Sequence, residues 1–216
     1  MAELNRDWTV NITYLTIHNW KLVQRLKDDA NVPWMVEREL TFWPNIWTFV
    51  KELHFSNTSW TITNLELRTN DFNWVAITSL NLSLDDNVVV QFNEKQMTAV
   101  VNSLLNVDFT KPIKISAYLK NWKSNFIFEQ WWEWVVWAVT KNTPLDCPSP
   151  TKKVVKWVEK WDFSEYEEWF YNKAVELSKK HFPNWKISTP TKIDDFSDLE
   201  NTSTKNDWIS IEDIPF

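Results

Sequence analysis

Glycine is absent from this chain. None of its 216 residues is glycine and 17 are tryptophan, whereas a chain of that length ordinarily carries about 15 glycines. Without glycine, a chain has no low-cost residue for turns that need a positive φ, and tryptophan, with its Cβ and indole, is a poor substitute. Yet the tryptophans stand where such turns are expected. Asn19-Trp20, Asn73-Trp74, Asn121-Trp122 and Asn184-Trp185 take the place of the Asn-Gly turn dipeptide, and Asp7-Trp8 and Asp207-Trp208 that of Asp-Gly. The run Gln130-Trp131-Trp132-Glu133-Trp134 reads as a flexible turn once each Trp is read as Gly. The composition therefore predicts glycine at these positions in the functional protein, most simply through a UGA codon that the host reads as glycine. Deliberate Gly-to-Trp substitution is the plainer alternative. A natural Trp-rich stacking protein is another, but it leaves the missing glycines unexplained. No functional site is accordingly built on an indole.

The remaining composition bounds the fold and the function. Hydrophobic residues at 44% and charged residues at 24% exclude wholesale disorder and a collagen-like chain. The length suits one domain with an appendage. No apolar run approaches the ~18 residues of a membrane helix, and MAELNRD lacks the apolar stretch of a signal peptide, so a soluble, intracellular protein without membrane contact is expected. A single cysteine, Cys147, and three scattered histidines, His18, His54 and His181, offer no metal spacing. No metal or other cofactor is expected.

Residues 8–140 alternate short Thr-, Val-, Ile- and Phe-rich segments with polar turns, the pattern of an antiparallel strand set. Strands are predicted at 9–17, 21–27, 35–42, 47–55, 60–68, 75–84, 88–92, 112–120, 124–129 and 135–140. Between them, Met97, Val100, Val101, Leu104 and Leu105 recur at helical spacing behind Asn93, a suitable N-cap with Gln96 three residues on. Strands, one helix and then further strands is the order of an OB-fold, a Greek-key barrel that binds oligonucleotides on one face. The fold class predicted is thus mainly β: an OB-fold-like domain over 1–141, then 142–187 as a linker and C-terminal helix packed on it. That helix spans 163–182, with Phe163, Tyr166, Phe170, Ala174, Leu177 and His181 on one stripe, capped by Asp162 or by Ser164 with Glu167. Residues 188–216 read as a disordered acidic tail. Its seven acids against Lys192 and Lys205 give a net of −5, which leaves the body about −1 of the total −6. The acidity of the whole therefore does not rule out a nucleic-acid-binding face.

The hairpin 112–128 carries the clearest site. Alternation puts Ile113, Ile115, Ala117 and Leu119 on one face and Lys114, Ser116, Tyr118 and Lys120 on the other. A two-residue turn at Asn121-Trp122 would pair Lys120 with Lys123, Tyr118 with Asn125, Ala117 with Phe126 and Ile115 with Phe128. Phe126 and Phe128 then enter the core, while Lys114, Tyr118, Lys120, Lys123 and Asn125 gather outside. Cations beside a ring on which a base can stack are the chemistry of single-strand binding; a merely solvated sheet face has the same pattern. Lys21, Arg25 and Lys27 repeat it, with Leu22 and Leu26 opposite. In 48–55, Phe49, Lys51, Leu53 and Phe55 are assigned to the core with Lys51 snorkelling. Arg68 and Phe72 rank lower. No phosphate loop, metalloprotease motif or nucleophile elbow occurs, so an enzyme is not expected, and a nuclease or recombination activity has no residue pattern behind it.

The chain ends in Ile211-Glu212-Asp213-Ile214-Pro215-Phe216 behind an acidic run. This resembles the tip of bacterial single-stranded DNA-binding proteins, with Asp213, Ile214, Pro215 and Phe216 matching it residue by residue and a thinner acidic run before it. Phe216 can fill an apolar pocket while its carboxylate meets an Arg or Lys of a partner. The body resembles instead the single-stranded DNA-binding proteins of tailed, crAss-like phages. The resemblance rests on Trp20-Lys21-Leu22-Val23, on Asn106 to Ile113 after the helix, and on Gln130-Trp131-Trp132 near the last strand. It implies an OB-fold, sequence-independent coating of single strands in phage replication and recombination, and recruitment of replication proteins through Glu212 to Phe216, in the cytoplasm of a bacterial host. A replisome adaptor without DNA affinity is the rival reading, and homo-oligomerisation is left open.

Overall fold

The computed structural model describes residues 12–27, 29–40, 48–72, 75–121, 123–155 and 157–183. The predicted tail, its tip at Glu212 to Phe216, and residues 9–11, 41–42 and 47 of the predicted strands lie outside them. The elements run β1 (Thr13–His18), β2 (Lys21–Arg25), β3 (Val36–Glu39), β4 (Phe49–Phe55), β5 (Asn57–Trp60), β6 (Ile62–Phe72), β7 (Val75–Leu84) and β8 (Val88–Asn93). Then follow α1 (Glu94–Leu104), β9 (Ile113–Lys120), β10 (Lys123–Gln130), β11 (Glu133–Trp134), β12 (Thr151–Val155), β13 (Val158–Asp162) and α2 (Ser164–His181). The protein is mainly β with two helices. Seven strands form one sheet in the order β3-β4-β2-β1-β8-β7-β6, four form a second in the order β11-β10-β9-β5, and β12 pairs with β13 alone. Among the described residues neither sheet closes on itself, and eight strands precede α1, so the arrangement is two open sheets rather than a closed barrel. One pairing, β1 with β8, is parallel.

Alternation builds the core. Leu15, Leu22, Leu65, Leu80, Leu82, Val90 and Phe92 share the apolar face of the seven-stranded sheet and pack with Ile113, Ile115 and Phe128 of the smaller one. Phe126 lies half-buried against Phe92, with ring centroids 5.1 Å apart. Met97, Val100, Val101 and Leu104 of α1 and Tyr166, Phe170, Ala174 and Leu177 of α2 complete the cluster. The capping box starts α1: the Asn93 side chain accepts from Gln96 N at 3.0 Å and the Gln96 side chain accepts from Asn93 N at 3.1 Å. The α2 start differs from expectation. Phe163 is its N-cap, the Ser164-Glu167 box does not form, and Asp162 Oδ1 accepts instead from Ser164 N (3.1 Å) and Ser164 Oγ (2.6 Å). The Ser178 hydroxyl donates to Leu65 O at 2.7 Å and ties α2 to β6.

Several predicted strands shift for identifiable reasons. Segment 135–140 forms no strand, because its backbone groups are taken by α1. Val139 N donates to Asn102 Oδ1 at 2.7 Å, Asn102 Nδ2 donates to Val139 O at 3.0 Å, and Asn106 Nδ2 donates to Val136 O at 3.0 Å. The β12–β13 hairpin occupies part of the segment before α2 that the sequence predicts as linker. The predicted strand 60–68 is split at Thr61 between β5 and β6. In β4 burial runs opposite to expectation, although the register keeps Phe55 on the Leu22 face and sets Glu52 on the far side beside Arg25. Phe49 and Phe55 are exposed and Lys51 donates to Ala30 O at 2.9 Å, while Val50 and Glu52 are buried. Glu52 tolerates burial because Arg38 and His54 meet its two oxygens.

Among the described residues five tryptophans hold a left-handed backbone, Trp20, Trp34, Trp131, Trp132 and Trp157, with φ between 54° and 68°. For a residue with a Cβ this region costs about 1–2 kcal/mol.

Candidate nucleic-acid interface

The β9–β10 hairpin has the register that its turn dictates. Lys120 pairs with Lys123, Tyr118 with Asn125, Ala117 with Phe126 and Ile115 with Phe128. Ile113, Ile115 and Phe128 are buried, so alternation turns Lys114, Tyr118, Lys120, Lys123 and Asn125 outward. Tyr118, Lys120 and Lys123 are exposed. The positive φ of Asn121 (52°) starts the turn between them, and Asn125 Nδ2 donates to Lys123 O at 3.0 Å, bracing the tip. Leu119, expected in the core, is exposed, because the hairpin runs past the edge of the core at its tip.

The same register brings in a residue that the sequence reading passed over. Glu129 lies directly opposite Lys114, and its carboxylate receives the Lys114 ammonium at 2.9 Å. Lys114 is thus neutralised in place. Lys120 and Lys123 instead face each other with like charge, and among the described residues neither has an ion-pair partner, an arrangement unfavourable for a sheet in the absence of an anion.

Lys21 and Arg25 are not on this face. They belong to β2 in the larger sheet, where Leu22 points into the shared core and the alternate residues therefore point to the far side. Lys27 is exposed just beyond the strand. The two basic sets therefore lie on two sheets whose apolar faces meet in one core. They adjoin at a corner where Trp20 N donates to Ser124 Oγ at 3.0 Å.

Lys21 and Arg25 have unexpected company. Cross-strand pairing places His54 and Glu52 of β4, Arg38 of β3, Thr16 of β1, Gln91 of β8, Asn81 of β7 and Glu66 and Arg68 of the β7–β6 ladder on one polar face. Arg38 Nη2 meets Glu52 Oε1 at 2.8 Å, His54 Nε2 meets Glu52 Oε2 at 3.0 Å, and Arg68 Nε lies 3.1 Å from Glu66 Oε2. Burial works to raise the Glu52 pKa, but hydrogen bonds from Arg38 and His54 outweigh it and hold the carboxyl below its usual range. No local periodicity marks this face, because its members come from all seven strands of the sheet.

Two of the three segments that carried the phage resemblance meet in space. Gln130 Nε2 donates to Asp108 O at 2.9 Å while Gln130 Oε1 accepts from Asp108 N at 3.0 Å, so the turn after β10 clamps the loop after α1. Within that loop Asp108 accepts from Thr110 N and Oγ1 and meets Lys111 at 2.7 Å, which lowers its pKa to about 2. Phe109 stacks on His181, with ring centroids 4.3 Å apart, and so joins the loop to the end of α2. Burial and the neighbouring Lys180 lower the His181 pKa.

Little else could carry chemistry. Burial, with Asp146 nearby, pushes the Cys147 thiol up to about 11, far from a reactive thiolate. Among the described residues no three His, Cys, Asp or Glu side chains are grouped to hold a metal, and no helix is long and apolar enough to cross a membrane. A cleft of about 350 Å³ between β1 and β5 is lined by uncharged side chains, Asn57, Thr58 and Ser59 among them.

No family model, curated protein or solved structure matches this chain.

Proposed function

We propose that the protein binds single-stranded DNA without sequence preference, and that the β9–β10 face is its primary contact. The observation that carries this reading is the Lys120–Lys123 pair: two like charges set opposite each other beside the exposed Tyr118 ring and the Asn125 amide. A phosphate between the two ammonium groups would relieve their repulsion, and a base stacked on Tyr118 would add sequence-tolerant affinity. Lys114, bound to Glu129, contributes once a phosphate competes for it. Lys21, Arg25 and Lys27 would form a second contact on the larger sheet, reached by a strand that passes the Trp20–Ser124 corner.

The open sheets would then act as an OB-like platform for coating strands during phage replication and recombination in a bacterial cytoplasm. Glu212, Asp213, Ile214, Pro215 and Phe216 would recruit replication proteins. Fluorescence anisotropy with labelled oligo-dT across a salt series tests the binding. Engagement of three cations gives a log-log slope of about −2, whereas absent binding returns the protein to the adaptor class.

A further inference from the structure

The tryptophans carry an inference independent of DNA binding. Five of the nine described residues with positive φ are tryptophan, and each occupies a turn position whose geometry asks for glycine. Asn19 (φ 45°) and Trp20 (φ 54°) join the closing pair His18–Lys21 of β1 and β2. Two positive φ values in a two-residue hairpin loop define a type I′ turn, the geometry that favours Asn-Gly. Trp131 (φ 54°) and Trp132 (φ 68°) join Gln130 to Glu133 in the same way, where Gly-Gly belongs. Trp157 (φ 68°) is the second residue between the paired Val155 and Val158. Trp34 (φ 68°) follows Pro33, and Met35 N donates to Val32 O at 3.3 Å, which makes it the third residue of a type II turn, the glycine position after proline.

Three of the indoles stand almost wholly in solvent, and among the described residues Trp131 has only the Lys111 ammonium over its ring, 5.5 Å from the centroid. Trp34, Trp132 and Trp157 are 91%, 93% and 97% exposed. Of the other four positive-φ residues, Asn19, Asn87 and Asn121 are of the type that tolerates this region, and Leu145 is the exception. Sequence and geometry converge: the chain lacks glycine altogether, and tryptophan fills the glycine positions of four separate turns.

We infer that the functional protein carries glycine at all 17 tryptophan positions because its gene is read where UGA specifies glycine. The first tryptophan is Trp8. A cell that reads UGA as stop therefore ends synthesis before residue 8 is added, and production is confined to a host, or to an element of that host, with the reassigned codon. The exposed indoles vanish from the native surface. Tyr118 then remains as an exposed ring on the β9–β10 face, and the turn at 131–132 is reduced to bare backbone beside the Asp108–Lys111 loop.

The gene itself gives the first test. All 17 codons are expected to be UGA, and UGG at these positions overturns the inference. Peptide mass mapping of the protein from its natural source gives the second: each position should be about 129 Da lighter than tryptophan, as glycine requires, and tryptophan masses overturn the inference. A third test uses recombinant protein. The joint replacement Trp20→Gly, Trp34→Gly, Trp131→Gly, Trp132→Gly and Trp157→Gly should raise the thermal midpoint by about 10 °C, from relief of left-handed strain at five sites. The set Trp134→Gly, Trp137→Gly and Trp161→Gly, at exposed positions of ordinary φ, should produce no such rise. A midpoint unchanged or lowered in the five-site variant refutes the turn argument.

Discussion

Replacing Glu129 by glutamine probes the β9–β10 face at the point where the structure differs from a simple row of lysines. Glu129 holds Lys114 at 2.9 Å, with 17% of its own side chain and 35% of the lysine's exposed. A strand lying over Tyr118 and the Lys120–Lys123 pair would bring a phosphate near this carboxylate. At about 7 Å in a water-like dielectric the repulsion is about 0.6 kcal/mol, close to threefold in affinity. Glu129→Gln removes that repulsion and frees Lys114 to neutralise one more phosphate, which should steepen the log-log salt slope by about 0.7. The cost in folding should be small, since a pair this accessible is worth about 0–1 kcal/mol, and the thermal midpoint should fall by no more than about 4 °C. The comparison is Glu176→Gln on α2, which breaks the Lys173–Glu176 pair at 2.9 Å and changes the net charge equally. Anisotropy titrations of both variants from low to moderate salt separate a local effect from a global one. Equal slopes in the two variants would falsify the placement of DNA on this face.

Tyr118→Ala should weaken oligo-dT binding by roughly 1–3 kcal/mol with little change in salt slope, since it removes a stacking surface and no charge; an unchanged affinity assigns Tyr118 to a solvated sheet face. Asn102→Ala should destabilise the fold by about 2–4 kcal/mol in urea melts, because it strands Val139 N and O in a buried site; a loss below about 0.5 kcal/mol refutes that role. Glu52 titrates below its ordinary value of 4.5 when folded, so the unfolded chain binds its proton more readily. Its contribution is therefore complete above about pH 5 and lost as pH falls through the folded value. The stability gap between the protein and Glu52→Gln should accordingly shrink on acidification from pH 6 to pH 3.5, and a constant gap contradicts the Arg38–Glu52–His54 arrangement. Phe216→Ala should abolish capture of replication proteins while leaving oligo-dT affinity intact; a loss of DNA binding would make the tail part of the DNA site.

Local rules account for what was legible. The capping box at Asn93 and Gln96 and the Met97–Leu104 stripe specify α1 through contacts three and four residues apart. The β9–β10 register follows from a two-residue turn plus alternation. Both are short-range devices, and both are readable without a partner element. Capping of α2 was less legible because two neighbouring residues, Asp162 and Ser164, each offered an oxygen. The hydrogen bonds within that pair favour Phe163 as the cap.

Burial along β4 differs from the sequence expectation for a non-local reason: a carboxylate is kept out of a buried site only when nothing answers it, and Arg38 and His54 answer Glu52 from across the sheet and from its own strand. Segment 135–140 is apolar enough for a strand, but two asparagines of and beside α1 claim its backbone.

The sequence by itself determined, through its alternating pattern, that the protein is mainly β and, through its composition, that its turns call for a residue the chain does not contain, because period-two patterning and positive-φ turns are properties of a few adjacent residues. Tertiary structure decided which charges stand together. It set Glu129 against Lys114, divided the basic residues between two sheets, and assembled the Arg38, Glu52, His54 and Arg68 face from strands far apart in the chain. Hydrogen-bonded pairing between distant segments chooses such neighbours, and no pattern within one segment encodes its partner.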